Sequence, residues 1–445
     1  TRIDAIVLAF TFGVAVLSAV LFSVLPAIHA SRTGVQKALK ESGARTTGGP
    51  AKGRLRDLLI VAEVSLAVLL TIGAGLLAKS FFRLMSVDTG YRGDHVFTSI
   101  IVLPDSRYPD LDSQLRFFKN VLRNVQVLPG VVSAGAVHGV PMGGNNTGAY
   151  VEIEGRPDNE IGDNRPASEI ISATPDYLPT MGIPLLKGRY LTEQDGVSGS
   201  RNALANQEAV NTFWPGEDPI GKRIGVDDGR GHKIWHTIVG IVQSTHDQAL
   251  DKPILPAVYI PAEEGFSRPN FLVARTQGPP AYLNEAIRSA VAAVDKDQPI
   301  FVETTMQNLV DFSVAGRRFS MVMLAAFSVL AFVLSAVGIY GLISYSVAQQ
   351  TREIGIRSAL GAGRRRLLML VLGKGLRLSL VGITVGAAGA LALTRLLSSL
   401  LFQVRPTDPF VFLGVCLAFS AVAGLASWIP ARRALTVDPL TALRY

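Results

Sequence analysis

The sequence predicts an α-helical polytopic membrane protein of five transmembrane helices, with a large α+β periplasmic domain inserted between helices two and three. Three observations predict it. Only 18% of the 445 residues are charged, against about 25% in an ordinary soluble chain. The deficit falls in five long apolar runs, while the middle of the chain has soluble composition. Basic residues gather in the segments that would share one side of a membrane.

The runs are Ala5–Ile28, Leu58–Ala78, Phe319–Ser346, Leu376–Leu397 and Pro409–Ile429. Each holds roughly 20 or more mostly apolar residues, enough for about 30 Å at about 1.5 Å per residue. A buried core helix seldom stays apolar on all faces for so long. The chain opens at Thr1 straight into the first run, with no visible signal peptide, so residues are expected before it. The single cysteine, Cys416, lies in the last run, so no disulfide can form within the chain.

Details of the runs agree. Asp408 ahead of Pro409 is a good helix start, a side-chain acceptor followed by a residue that needs no hydrogen-bond donor. Gly382 and Gly386 stand four apart in the fourth run, where a neighbouring helix could pack closely. Tyr345 and Trp428 sit where interfacial aromatics are expected. Glu63 lies about a turn and a half inside the second run. It reads as a carboxylate reaching the interface or a nearby arginine, Arg54 or Arg56, with a relay or pore group as the alternative.

Topology follows from charge. Arg32, Lys37, Lys40, Arg45, Lys52, Arg54 and Arg56 lie between the first two runs, against Glu41 and Asp57. Arg352, Arg357, Arg364, Arg365 and Arg366 lie between the third and fourth, against Glu353. Arg432, Arg433 and Arg444 follow the fifth, against Asp438. These named residues are fifteen basic and four acidic, a net of +11, while the whole chain is only +8. The basicity is therefore a topology signal, and nucleic-acid binding loses its main support. Lys and Arg mark the cytoplasmic face, which places residues from about 84 to 315 outside, in a bacterium the periplasm or cell exterior.

The exterior segment mixes β-rich runs with turn clusters. Phe97–Leu103, Ala149–Glu154, Thr237–Val242, Ala257–Ile260 and Phe271–Arg275 read as strands. Leu111–Val127 and Ala281–Val294 read as helices. The segment is large enough for two subdomains. It holds no catalytic constellation. Gly216–Arg223 has the G-x4-G-K spacing of a phosphate loop, but Arg223 stands where Ser or Thr would hold magnesium, and Pro219 removes a backbone amide. It reads as a turn, and the chain is not expected to bind ATP, any other cofactor or a metal by itself. His232 and His236 are four apart, but Lys233-Ile234-Trp235 leads into a strand, where that spacing has no metal meaning. Asn145-Asn146-Thr147 reads as turn chemistry.

The two ends of the chain repeat. Pro26-Ala27-Ile28-His29-Ala30, continuing to Ala38-Leu39-Lys40, matches Pro430-Ala431-Arg432-Arg433-Ala434, continuing to Ala442-Leu443-Arg444, at a constant offset of 404 that Asp4 and Asp408 keep. The first span reads as a copy of the fifth, the last helix of an earlier unit.

Between the third and fourth runs, Thr351-Arg352-Glu353-Ile354-Gly355-Ile356-Arg357-Ser358-Ala359-Leu360-Gly361-Ala362 closely resembles the cytoplasmic motif of ABC transporter permeases of the MacB/FtsX type. The exterior segment resembles that family's periplasmic core domain through Leu128–Val131, Pro175–Leu178, Met181–Arg189, Asn206–Ala209, Phe213–Arg223, Ile238–Val242 and Val258–Pro261. Pro430–Ala434 and Asp438–Arg444 are typical of its C-terminus, and the terminal repeat is similar to duplicated, acidobacterial-type permeases (ADOP).

The resemblance implies a domain plan: residues 1–30 as the last helix of a preceding unit, 31–56 as a basic cytoplasmic linker and 57–80 as a transmembrane helix. Residues 81–316 would form the core domain. Residues 317–445 would form the permease domain, with spans at 319–346, 376–397 and 409–429 and a short coupling helix at 350–363. It further implies a protein of the bacterial inner membrane working with a cytoplasmic ABC ATPase, a periplasmic adaptor and a second permease unit, either upstream in the same chain or in a homodimer. Arg352, Glu353 and Arg357 would pair charges with the ATPase, and Ile354, Ile356 and Leu360 would anchor apolar contacts, within a segment that includes Gly355 and Gly361. The chain would transmit ATP-driven movement to the periplasm, for efflux or export. The rival reading is a membrane-anchored sensor, regulator or adhesin that acts without an ATPase. A secondary transporter would need paired charges in mid-span, which the runs lack.

Overall fold

The computed structural model describes residues 50–434 except 145–146, 157–165, 197–199, 228–232, 265–269, 360–362 and 396–400, together with Phe12, Gly13 and Val16. For residues 50–55, 349–359 and several of 364–374 and 431–434, only the helical backbone is described. Most of the first expected span and of the basic linker, Leu360, Gly361 and the last part of the C-terminal copy of the repeat, 435–445, lie outside the described residues.

Helix α1 (Pro50–Met85) leads into an α+β domain. Its elements are β1 (Val96–Ile100), α2 (Leu111–Gln126), β2 (Val131–Val137), β3 (Gly148–Ile153), β4 (Ala167–Ala173), α3 (Tyr177–Met181) and β5 (Leu185–Gly188). They continue as β6 (Asn202–Asn206), α4 (Gln207–Phe213), β7 (Arg223–Asp227), β8 (Lys233–Val242), β9 (Ala257–Pro261) and β10 (Phe271–Thr276). The last are α5 (Asn284–Ala292), β11 (Phe301–Thr305) and α6 (Met306–Ser313). Three long helices follow, α7 (Ala315–Ala359), α8 (Arg364–Leu393) and α9 (Pro409–Ala434). Four helices among the described residues are long and apolar enough to cross a membrane, over Arg56–Met85, Ala315–Ala348, Gly375–Leu393 and Pro409–Pro430. The chain is a multi-pass membrane protein.

The charged segment expected as a separate short helix is instead continuous with the preceding span. The backbone stays helical without a break from Ala315 to Ala359, 45 residues. Helix propagation depends on backbone propensity rather than hydropathy, and Gln, Arg, Glu and Ala sustain a helix as well as Leu does. Gly363 is not helical, and α8 starts at Arg364.

The strands divide into a sheet and a ring. β11, β1, β10 and β2 form an antiparallel sheet. Phe97 pairs Ala274 across β1 and β10, and Ala274 pairs Ala134 across β10 and β2. Helices α2 and α5 cover one face. Phe117, Phe118, Val121 and Val125 of α2 and Ile287 and Val291 of α5 bury against Phe97, Ala134, Ala136 and Leu272. The α2 start is capped by Asp110, whose carboxylate accepts from the Ser113 amide at 2.7 Å.

The remaining main strands close on themselves. β3 pairs β4 and β7, β7 pairs β8, β8 pairs β6, β6 pairs β9, and β9 returns to β4 in a parallel ladder from Glu169↔Ala257 to Ala173↔Pro261. This six-stranded ring encloses Val151, Ile170, Ala205, Ile224, Ile238 and Val258, and α4 adds Ala209 and Phe213 with Trp214 to the same core. Closure leaves these strands few open edges. Sheet and ring share one ladder pair, Val137↔Ala173, flanked by the His138 amide on the Ser172 carbonyl at 3.0 Å.

By backbone contact the chain forms two compact units. One comprises Thr1–Val68, Ala331–Ala387 and Cys416–Tyr445, the other Leu69–Leu330 and Ala388–Val415.

Candidate functional site

The first unit is built on close helix approach. A Cβ placed on Gly386 would stand 2.6 Å from the Ser65 carbonyl and 2.9 Å from the Val68 Cβ, and one on Gly382 would stand 2.8 Å from the Val64 Cβ. Both glycines therefore let α8 lie against α1, and Ser65 Oγ donates to the Gly382 carbonyl at 3.0 Å across that seam. Small residues serve this purpose where lipid supplies no hydrophobic drive for helix association. Gly375 sits against Ile343 of α7 and Ser427 of α9, and Phe332 meets Phe419 edge-to-face at 4.9 Å.

Glu63 does not reach Arg56. Its carboxylate lies against Gly338 of α7, where an added Cβ would be 2.7 Å from Oε2. Arg56 instead donates to the Gly341 carbonyl at 3.2 Å and stacks 4.3 Å from the Tyr345 ring centre. The Arg54 side chain lies outside the described residues. Of the expected docking residues, Arg352, Glu353, Ile354, Gly355, Ile356 and Arg357 occupy helical backbone at the end of α7, with side chains outside the description. Glu353 and Arg357 stand about one turn apart there.

The second unit ties the helix ends to the α+β domain. Lys79 of α1 donates to Asp408 at 2.5 Å, and Asp408 also accepts from the Phe410 and Val411 amides at 3.2 and 3.3 Å, capping α9. Lys79 and these amides hold the Asp408 carboxyl below the usual carboxylate range. The Phe402 amide donates to Ser80 Oγ at 2.8 Å, and Arg83 donates to the Gln403 carbonyl. The segment after β8 then makes two ties. The His246 amide donates to the Thr89 carbonyl at 3.1 Å, just past α1. Arg317, in the first turn of α7, pairs with Asp251 at 2.5 Å. Gly90, at φ +80°, packs so closely on the Ser244 carbonyl that no Cβ fits.

The same segment carries a half-buried acid. Asp247 accepts from Thr245 Oγ1 at 2.9 Å, and its backbone carbonyl accepts from the Met142 amide at 2.6 Å. Burial, reinforced by the nearby Glu169 carboxylate, pushes Asp247 up to about 7. His138, Thr147, Glu169 and Asp247 line a small cavity of about 10 Å³, close to the least that holds one water. His138 Nε2 lies 2.8 Å from Thr147 Oγ1, and Gln248 donates to Glu169 at 3.3 Å.

The phosphate-loop look-alike is a turn. Gly216 and Gly221 have φ of +77° and +84°, the Lys222 amide donates to the Pro219 carbonyl at 3.0 Å, and the Lys222 ammonium pairs with Glu217. His236 lies within β8 and pairs with Glu264 at 2.6 Å, while His232 lies outside the described residues.

Sequence reasoning missed the ties of the second unit. Lys79, Asp251 and Arg317 look like ordinary flanking charges, and only the fold brings partners 66 and 329 residues apart together. The one available signal was Asp408, read as a helix start.

Comparison with known proteins places these geometries. The FtsX-like permease C-terminal family matches residues 325–439, and the MacB-like periplasmic core domain matches residues 58–304, over half of the chain. The chain is similar to a macrolide export ATP-binding/permease protein, MacB, of Marinobacter nauticus, 25% identical over 300 residues, covering 63% of this chain and 44% of that one. It is similar to a pyoverdine export ATP-binding/permease protein, PvdT, of Pseudomonas putida, 27% identical over 270 residues, covering 58% of this chain and 40% of the other. The chain thus spans less than half the length of these relatives. The periplasmic region of MacB from Actinobacillus actinomycetemcomitans aligns with 13% identity and a TM-score of 0.35, over 51% of this chain and 95% of that one.

Proposed function

The chain belongs to the ABC transporter permeases of the MacB/FtsX type, and we propose that it converts ATP hydrolysis by a separate cytoplasmic ATPase into conformational work on the periplasmic side of the bacterial inner membrane. Helix α7 is the observation that carries this reading. It is one unbroken helix of 45 residues, about 67 Å long, against a hydrocarbon core of about 30 Å. Its first turn holds Asp251 of the α+β domain through Arg317. Its last turns carry Arg352, Glu353 and Arg357, which pair charges with the ATPase, and Ile354 and Ile356, which anchor apolar contacts. Leu360 and Gly361 complete the docking segment. A helix without a kink transmits a displacement from end to end as a rigid body.

In this reading the α+β domain is the periplasmic core domain of the plan above, and the first span belongs to an upstream unit of a duplicated permease. A second permease unit and a periplasmic adaptor complete the assembly. The relatives are named for macrolide and pyoverdine export, and an exported or expelled client of that broad kind fits.

The test is copurification with the cognate ATPase. Arg357→Glu combined with Ile356→Asp is expected to abolish both capture of the ATPase and stimulation of its hydrolysis. Capture and stimulation at wild-type levels would remove the docking claim.

A further inference from the structure

Within the first unit a cavity of about 350 Å³ opens between α8 and α9. That volume is in the range of about 300–1,000 Å³ typical of small-molecule sites. Leu376, Leu380 and Ile383 line it from α8, and Ser420 and Ala423 from α9. All lie within the candidate spans, so the cavity is at membrane depth. Leu376 and Leu380 remain 42% and 60% exposed. Ser379 lines it too, and the Ser379 and Ser420 hydroxyls are already committed to the Gly375 and Cys416 carbonyls at 2.9 and 2.7 Å, which leaves the wall apolar apart from one charged residue.

That residue is Arg377, which also lines the cavity. It forms no ion pair with any described residue. A cation at hydrocarbon depth is costly without a partner or a route to the interface, and the long arginine side chain reaches outward to find one. Its depth can be read from the packing. Gly375 meets Ser427, next to Trp428, which is half-exposed beneath the Arg432 guanidinium at 5.6 Å. A tryptophan so placed marks the headgroup level. Arg377 therefore stands two residues, about 3 Å, inside that level, with the apolar cavity walls beyond it.

A cation at headgroup depth above a lipid-width apolar cleft matches one ligand chemistry, a phosphate diester carrying acyl chains. We propose that the α8–α9 cleft binds one anionic phospholipid, an acyl chain lying along Leu376 and Leu380 and the phosphate held by Arg377. Basic pockets between transmembrane helices bind anionic headgroups by the same means. The proposal does not rest on the ATPase-coupled reading above.

Native mass spectrometry of the full chain in detergent, titrated with phosphatidylglycerol or phosphatidylcholine, tests it. The wild type is expected to retain one phosphatidylglycerol at a lipid concentration about tenfold below that needed for phosphatidylcholine, a difference of about 1.4 kcal/mol. Arg377→Gln is expected to abolish the preference and Arg377→Lys to keep it. Ser420→Phe, at the exposed α9 wall, fills the cleft and is expected to lose retention of both lipids with the charge intact. Equal retention of the two lipids by the wild type overturns the proposal, as does an unchanged preference in Arg377→Gln or wild-type retention in Ser420→Phe. Disulfide-linked dimers formed through Ser420→Cys in a Cys416→Ala background would assign the cleft to a second copy and overturn it equally.

Discussion

Asp195, which is buried, and Asp247, which is half-buried, are two aspartates with opposite titration behaviour. Asp195 accepts from Arg189 at 2.6 and 2.7 Å, from Asn202 at 2.6 Å and from Thr192 at 2.7 and 2.8 Å. Arg189 first, then these donors, hold it far below the carboxylate range, so its contribution is present above about pH 4 and lost only as acid protonates it. Asp247 has one hydroxyl donor and a carboxylate neighbour, and its folded value rises to about 7. Its contribution is complete below the unfolded value of about 3.9 and is lost as pH rises through 7. The thermal midpoint of the α+β domain should therefore fall between about pH 6 and pH 8, by the equivalent of about 1 kcal/mol. Asp247→Asn should flatten that dependence when melting is followed by circular dichroism.

The α1–α8 seam depends on glycines with no room to spare. Gly386→Leu should force the helices apart, costing about 2–3 kcal/mol, whereas Leu at Gly414, which has open space around it, should leave the detergent melting temperature within about 1 °C. How much of the elements was legible in the sequence follows from what defines each one. The apolar runs of α1, α7, α8 and α9 declare themselves, because burial in lipid demands continuous hydrophobicity over a fixed length. Strands β3, β8, β9 and β10 showed through Val, Ile, Tyr and Phe. Strands β2 (Val-Val-Ser-Ala-Gly-Ala-Val) and β6 (Asn-Ala-Leu-Ala-Asn) did not. Their small residues are chosen by neighbours: Gly135 lies where a Cβ would strike the Tyr177 backbone, and Ala203 and Ala205 fill the crowded interior of the ring. The end of α7 was misjudged for a related reason, since a change in polarity marks the edge of the bilayer, not the end of a helix. Gly382 and Gly386 were legible as a pair, although their partners on α1 were not.

At the level of the whole molecule, the coupling proposed above would run through pairs distant in sequence. Asp251 and Arg317 join the α+β domain to α7, and both are partly exposed, so the pair should contribute only about 1 kcal/mol to stability. Its role in transmission should exceed that. Arg317→Asp is expected to leave ATPase capture intact while abolishing the export phenotype, and the exchange Asp251→Arg with Arg317→Asp should restore at least half of it. Failure of the exchange to rescue, with both single variants folded, would show that the contact matters for packing alone.

The ring and the sheet of the α+β domain also differ in how they would bear a pull. Stretching the ring means shearing whole ladders at once, because every strand in it is bonded on both sides. Sheet and ring share a single ladder rung, Val137↔Ala173, but one buried core also joins them, in which Val96, Phe271 and Val273 of the sheet pack with Leu204, Val242 and Tyr259 of the ring. A load placed on one half would therefore pass to the other through that shared core as well as through the rung. Sheet and ring would then move as one block, and a pull on either would be felt by both.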